Sequence, residues 1–275
     1  MASPDRASHA RLNYAIVIPA RHASSRYPGK PLAPLTGAGG EAKTLIRRSW
    51  EGASTVAGPE RVFVATDDDR IAAEVRSFGG QVVMTSPEHR NGTERCAEAV
   101  ARIGAEVVVN WQGDAPLTPV FMIEQLVAAL AADPQAAMAT SAVRCSAQTY
   151  AHLAADAAAG RVGGTTAVID QQGRALYFSK RLLPHVPEAA LARAHEATLL
   201  HLGLYAYRAE ALAAYAALEP TPLEELEGLE QLRFLEAGLP VRVVAFDPPD
   251  WSPIELNNPE DVPVIEAILK ERGID

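Results

Sequence analysis

Among the chain's 275 residues there are only two cysteines, Cys96 and Cys145, far apart and without neighbours at metal-ligand spacing. That excludes a disulfide framework and a cysteine-ligated metal site, so buried free thiols are the expectation. No apolar run approaches the roughly 20 residues that cross a bilayer. The leading segment, Met1 to Asn13, is polar and mixed in charge, and it is expected to be a disordered leader, not a secretory signal. Cations are also in short supply. With 25 Lys and Arg against 34 Asp and Glu the net charge is −9, which excludes the broad basic face that general nucleic-acid binding needs. A nucleotide ligand is not excluded, because a phosphate site needs only a local group of cations and backbone N–H groups. No P-loop is present, since Lys30 is followed by Pro31 rather than Ser or Thr.

Hydrophobic residues make up 48% of the chain and charged residues 21%, a globular composition. Tyr14 to Pro19 is a short continuous apolar run, the pattern of a strand buried on both faces. A polar loop, Ala20 to Gly40, carries Arg21, Arg26 and Lys30 among Ser, Gly and Pro. Helices are expected over Thr44–Val56, Arg70–Phe78, Thr93–Ile103 and Val120–Ala132. Strands are expected over Arg61–Thr66, Gln81–Thr85, Glu106–Asn110 and Ala137–Val143. Strands alternating with helices at this spacing predict βαβ units on a mostly parallel sheet flanked by helices. Beyond this the pattern loosens into a small β-rich inserted subregion. A hairpin is expected over Thr165–Asp170 and Ala175–Phe178, a helix over Glu188–Thr198 and a strand over Leu202–Tyr207. Helices follow over Ala209–Ala217 and Pro222–Ala237, then a strand over Val241–Phe246. A closing helix, Pro259–Arg272, takes Asn258 as its N-cap. With no internal repeat and no long linker, residues 14–275 read as one α/β domain.

Ligands of open α/β sheets bind beyond the carboxyl ends of the strands. Pro19 to Lys30, Gln112 to Pro116 and Ile254 to Asp261 all follow strands, and the first concentrates three cations where a triphosphate would need them. Trp111 reads as core or pocket wall, and Asp67 to Asp69 as a loop or helix-cap cluster. His22, His185 and His195 lack the spacing of a zinc site.

The segment PARHASSRYPGKPL (Pro19 to Leu32) resembles the nucleotide-binding signature of the 3-deoxy-manno-octulosonate (Kdo) cytidylyltransferases. The likeness continues, in order, through Ala65–Thr66–Asp67, HRNGTER (His89 to Arg95), NWQGDAP (Asn110 to Pro116), ALYFS (Ala175 to Ser179), HLGLYAYR (His201 to Arg208), PLEELEGLEQLR (Pro222 to Arg233) and Asn258 to Asp261. This resemblance implies a Rossmann-like nucleotidyltransferase fold. It also implies a cytoplasmic, Mg2+-dependent, dimeric enzyme that transfers CMP from CTP to a small acidic acceptor, Kdo first among them. By position, Pro19, Ala20, Arg21, Arg26, Lys30, His89, Asn91, Gly92, Thr93, Arg95 and Gln112 would bind CTP, with Arg21, Lys30 and Asp114 catalytic. Gln112, Lys180, His201, Tyr205, Glu230 and Gln231 would form the acceptor pocket, and Asp114 with Asn257 the metal site. Catalysis would be chiefly alignment and charge stabilisation, and no general base is evident. Read without the resemblance, His201 fits a structural histidine, and Glu230 and Gln231 a solvated helix face.

The chain departs from the family pattern at five positions. Asn91 stands for Ser, Ala115 for Glu, Thr166 for Lys, Lys180 for Arg and Asn257 for a second metal-binding Asp. Glu255, two residues before Asn257, would share its face in an extended segment and offer a carboxylate instead. Two alternatives follow. The acceptor could be another small acid, such as phosphonoformate, or the chain could be a non-catalytic CTP-binding regulatory paralogue. A sugar-1-phosphate nucleotidyltransferase ranks below both, because the expected Gly-rich first loop is replaced by His22 to Ser25.

Overall fold

The computed structural model describes residues 12–24, 26–248 and 254–275. In chain order they form β1 (Tyr14–Ala20), a small antiparallel hairpin of β2 (Pro34–Thr36) and β3 (Ala42–Thr44), α1 (Leu45–Ala57), β4 (Val62–Thr66), α2 (Asp69–Ser77), β5 (Gln81–Met84), α3 (Gly92–Ile103), β6 (Val107–Asn110), α4 (Phe121–Ala132) and β7 (Met138–Arg144). Then come α5 (Ala147–Ala158), β8 (Thr166–Ile169), β9 (Ala175–Ser179), α6 (Ala194–Ala197), β10 (Leu199–Arg208), α7 (Ala209–Ala217), α8 (Pro222–Glu227), α9 (Gln231–Glu236), β11 (Val241–Phe246) and α10 (Val262–Glu271).

The main sheet has the order β11-β7-β10-β6-β1-β4-β5, and β8 and β9 extend it from β10. Pairing is parallel throughout this order except at β10, which runs antiparallel to both β6 and β7. β1 is apolar along its length because both faces are covered. Ile16 and Ile18 face one core with Val107 and Val109, whereas Val17 faces the other with Val108. That alternation is the period of two of a strand between two helical layers. A third cluster, around Leu35, Leu45, Leu256, Ile265 and Leu269, seats α10 against the β2–β3 hairpin.

β1 lies between β6 and β4, so the chain leaves the sheet in opposite directions from the middle of the order. This is where α/β sheets open a ligand crevice. The helices that flank it begin at capping side chains: Thr44 accepts from Arg47 N, Asp68 from Arg70 N and Ile71 N, and Asn91 from Glu94 N.

Several expectations need correction. Pro222 to Ala237 is not one helix. Gly228, with φ of 60°, closes α8 in the left-handed region, and α9 starts again at Gln231. The closing helix is also divided, with a 3-10 turn at Pro259–Asp261 before α10. Most of Glu188–Thr198 is a 3-10 turn rather than an α-helix. α5 and the β2–β3 hairpin lie in segments read as irregular or loop. Residues 1–11 of the expected leader lie outside the described residues. Asn13, however, joins the fold: its N–H donates to Glu106 Oε2 at 2.9 Å and its carbonyl accepts from Glu106 and Val107.

Candidate active site

Two cavities meet at the carboxyl edge of β1 and β6, and Gln112 lines both. The first encloses about 290 Å³ between the loop after β1 and the start of α3. Its wall includes Pro19, Ala20, Arg21, Arg26 and Lys30 from the loop after β1, Asn91, Gly92 and Arg95 at the start of α3, and Gln112 and Asp114 from the loop after β6. The second encloses about 410 Å³ and runs along β10 beneath the loop before β8.

Short-range physics positions the first set. Gly29 turns the cationic loop with φ of 73°, and a Cβ there would stand 3.0 Å from His22 Nε2, so glycine is needed. The loop after β6 is pinned by Trp111 N donating to Val17 O at 3.0 Å and by Ser49 Oγ donating to Gly113 O at 2.9 Å. Asp114 then faces Lys30, with Nζ 2.6 Å from Oδ2. The main chain of Leu256 donates to Asp114 O at 2.8 Å, which carries Glu255 and Asn257 to the same place. Arg26 Nη2 donates to Asn257 Oδ1 at 2.7 Å, and Asn257 Nδ2 approaches Glu255 Oε2 at 3.4 Å. Asn257 and Glu255 therefore do share a face, but the Asn257 oxygen is committed to Arg26. Burial, then the nearby Asp114 carboxylate, raises the Glu255 pKa. Arg95 is buried and pairs with Asp67 at 3.2 Å and with Thr85 Oγ1.

In the second cavity β10 is irregular: its register against β7 shifts between Leu202 and Tyr205. Thr140 braces the irregularity, its hydroxyl donating to Leu204 O at 2.9 Å. A hydroxyl has one proton, so the 2.9 Å contact between Thr140 Oγ1 and His201 Nε2 must be donated by the imidazole. His201 is then the neutral Nε2–H tautomer, and Nδ1 is left as an acceptor. Burial holds its pKa down at about 3. Phe178 meets the His201 ring edge-on at 5.1 Å and Tyr205 lies 5.5 Å beyond, fixing the imidazole plane. Gln112 packs against Gly203, where an added Cβ would stand 3.6 Å from its Cγ.

The predicted residues do not all converge. Thirteen positions carry the first-cavity and metal expectations, and most of them gather around Asp114. His89 lines neither cavity and instead bonds Glu98 at 2.6 Å. Thr93 is buried under the first cavity, its hydroxyl against Tyr207 OH at 2.8 Å. Of the acceptor set, His201, Tyr205 and Gln112 line the second cavity. Lys180 lines a groove with Arg161 and Arg181 behind the hairpin and a small pocket with Gly163 and Gly164, the glycines that also line the second cavity. Glu230 accepts from Thr93 N at 3.3 Å and lines a separate depression beside Arg233, and Gln231 is buried. Burial raises the Glu230 pKa. Neither is a solvated face. Trp111 is a cavity wall, and Asp68 is a helix cap. Sequence reading missed Thr118, Leu229 and the Gly163–Gly164–Thr165 segment in the second cavity; the paired glycines were the one available signal.

Residues 15–243 match the sequence profile of the Cytidylyltransferase family. The chain is 45% identical over 261 residues to the 3-deoxy-manno-octulosonate cytidylyltransferase of Maricaulis maris, covering 94% of this chain and 97% of that one. It belongs to the 3-deoxy-manno-octulosonate cytidylyltransferase family. The mitochondrial member from Arabidopsis thaliana is 36% identical, with 94% of this chain and 83% of the relative covered. A solved CMP:2-keto-3-deoxy-manno-octonic acid synthetase complexed with CTP superposes with a TM-score of 0.81 at 34% identity, covering 94% of this chain and 99% of that one. The 4-diphosphocytidyl-2C-methyl-D-erythritol synthase of Anaerococcus prevotii, at 14% identity and a TM-score of 0.58, covering 94% of this chain and 99% of its own, shares the fold alone. The Rossmann-like nucleotidyltransferase architecture is thereby established, with β10 as its antiparallel exception.

Proposed function

We propose that this chain transfers CMP from CTP to 3-deoxy-manno-octulosonate and releases pyrophosphate. What carries the reading is the contrast between two cavities that share Gln112. The first gathers Arg21, Arg26, Lys30 and Arg95, the charge a triphosphate needs. Among the described residues the second has no Lys or Arg in its wall; it offers His201, Thr118, Gln112, main chain and the Glu255 carboxylate among apolar side chains. Such a wall suits a polyhydroxy acid with a single charge. It disfavours phosphonoformate, a compact multiple anion whose burial beside a carboxylate without a cation is costly.

In this scheme Pro19, Ala20, Asn91 and Gly92 shape the nucleotide cleft while Arg21, Arg26 and Lys30 hold the phosphates. Gln112 aligns the acceptor hydroxyl with the α-phosphate. Alignment and charge stabilisation then account for catalysis. His201, with a pKa held at about 3, is too weak a base to take a proton near neutrality, and it serves as an acceptor for an acceptor-sugar hydroxyl.

A Mg2+ ion belongs to the proposal. Among the described residues no group of three or more His, Cys, Asp or Glu is placed to hold a metal. The donor set nonetheless fits Mg2+, which is bound by one or two carboxylates while phosphates and water complete its shell. Asp114 would hold it, with Glu255 or Asn257 beside it. Such an ion supplies charge neutralisation on the phosphates. We assign the chain to the cytoplasm as a homodimer; two buried free thiols support the first and exposed Leu226 and Val162 the second.

The test is pyrophosphate release from CTP and Mg2+ with Kdo and phosphonoformate in parallel. Release with Kdo alone is expected. Release only with phosphonoformate would replace the acceptor, and CTP binding without release for any acid would favour a regulatory paralogue.

A further inference from the structure

The loop after β6 and the segment before α10 bring more than one side-chain oxygen to the metal of the proposed function. The main-chain bond from Leu256 N to Asp114 O, 2.8 Å long, sets the two segments side by side. Leu256 itself is fully buried in the cluster that seats α10. The flanking Glu255 and Asn257 share the opposite face of this extended stretch, with Asn257 Nδ2 3.4 Å from Glu255 Oε2. Ala115, next to Asp114, lines the second cavity together with Glu255.

The two candidates differ in what their oxygens already hold. Asn257 has one acceptor atom, and Arg26 Nη2 donates to it at 2.7 Å. Its Nδ2 can only donate. An ion on Oδ1 would stand against the guanidinium with no negative charge between them, and even with Arg26 gone the amide would contribute none. Glu255 takes the long Asn257 contact on Oε2, and among the described residues its Oε1 has no hydrogen-bond partner. Asp114 is in the same condition, with Oδ2 on Lys30 and Oδ1 without a partner among the described residues. Each carboxylate therefore keeps one free oxygen, on adjoining segments. Mg2+ is bound through one or two carboxylates, with phosphate and water in the remaining positions.

We infer that Glu255 is the second metal-binding carboxylate of this chain, paired with Asp114, and that Asn257 is reserved for Arg26. This rests on the metal of the proposed function and decides which residue holds it beside Asp114. Asp114 lines the first cavity, Glu255 the second and Gln112 both. The carboxylate pair thus spans the boundary between nucleotide and acceptor.

Mn2+ binding read by electron paramagnetic resonance, without CTP or acceptor, tests the assignment in wild type, Glu255→Gln and Asn257→Ala. Glutamine keeps the shape of the Glu255 side chain and removes its charge. Glu255→Gln should weaken Mn2+ binding about tenfold or more, at least what the loss of an outer partner of a metal site costs. Asn257→Ala should change it by less than about threefold, because a 3.4 Å contact holds Glu255 only weakly. The Glu255→Gln comparison is repeated on Lys30→Met, where Asp114 has lost its ion pair, and the same drop is expected. Equal Mn2+ affinity with and without the Glu255 charge in both backgrounds would overturn the assignment. So would a drop in Asn257→Ala as large as that in Glu255→Gln, or no Mn2+ bound by either wild type or Lys30→Met. The proposed function fails separately: a wild type that binds Mn2+ through Glu255 but releases no pyrophosphate with Kdo would defeat the transfer and leave this site standing.

Discussion

Lys30 and Asp114, 84 positions apart, form an ion pair of 2.6 Å in the wall of the first cavity. Next to it Arg26 holds Asn257. Both loop cations thus rest on the residues expected to face a metal, so nucleotide phosphates and metal compete with the loop for the same partners. In the proposed function CTP would draw Lys30 and Arg26 onto phosphate and free Asp114. Lys30→Met should therefore lower kcat/KM for CTP by roughly 100-fold, the scale of losing one preorganised charge. The same variant should bind Mn2+ more tightly than wild type without CTP, read by electron paramagnetic resonance. Unchanged Mn2+ affinity would mean that Lys30 does not compete for Asp114.

Asp114→Ala should abolish turnover while leaving the thermal transition near that of wild type, because Asp114 is at the cavity edge and not in the core. Near-normal Mg2+-dependent release in this variant would remove Asp114 from the site.

Asn257→Asp restores a carboxylate where the family pattern has one, and it should lower the Mg2+ concentration needed for half-maximal rate several-fold. Glu255→Gln, in the native background, should raise that concentration. An effect from the first and none from the second would assign the metal to position 257 alone.

The pH behaviour of His201 has a definite sign. Its folded pKa, about 3, is below the 6.5 of an unfolded histidine. Between those values the unfolded chain binds the proton that the folded one refuses, so stability falls as pH drops through that window and is complete above it. His201→Gln should flatten urea-derived stability between pH 6.5 and 4, and wild-type activity should show no inflection from this group near pH 6.5.

Arg233 is buried with its Nε 2.5 Å and Nη2 2.7 Å from the Glu224 carboxylate. Tyr215 OH also donates to Glu224 at 3.0 Å and receives Asn91 Nδ2 at 2.9 Å, which ties this network to the cap of α3. Arg233→Met leaves Glu224 without its cation and should cost about 3–5 kcal/mol in denaturant unfolding. A cost below about 1 kcal/mol would mean that the pair contributes little.

What the sequence determined by itself is local. The apolar run of β1, the capping residues Thr44, Asp68 and Asn91, and the turn at Gly173 are each dictated by a few neighbouring residues, so the βαβ order was legible from Tyr14 to Val143. The cationic loop was legible as well, because Arg21, Arg26 and Lys30 are close in sequence and follow a strand. What the tertiary structure decided is distant. Only the antiparallel insertion of β10 between β6 and β7 brings His201 and Tyr205 to Gln112. The Leu256 to Asp114 hydrogen bond likewise sets Glu255 and Asn257 beside Lys30. No periodicity encodes pairings between segments a hundred residues apart; they follow from which faces remain to be buried. The same holds for Lys180, Glu230 and Gln231, whose motif positions suggested the acceptor pocket but whose elements turn them elsewhere. For Glu230 and Gln231, the break at Gly228 separates α8 from α9, whose Phe234 stacks on Tyr207.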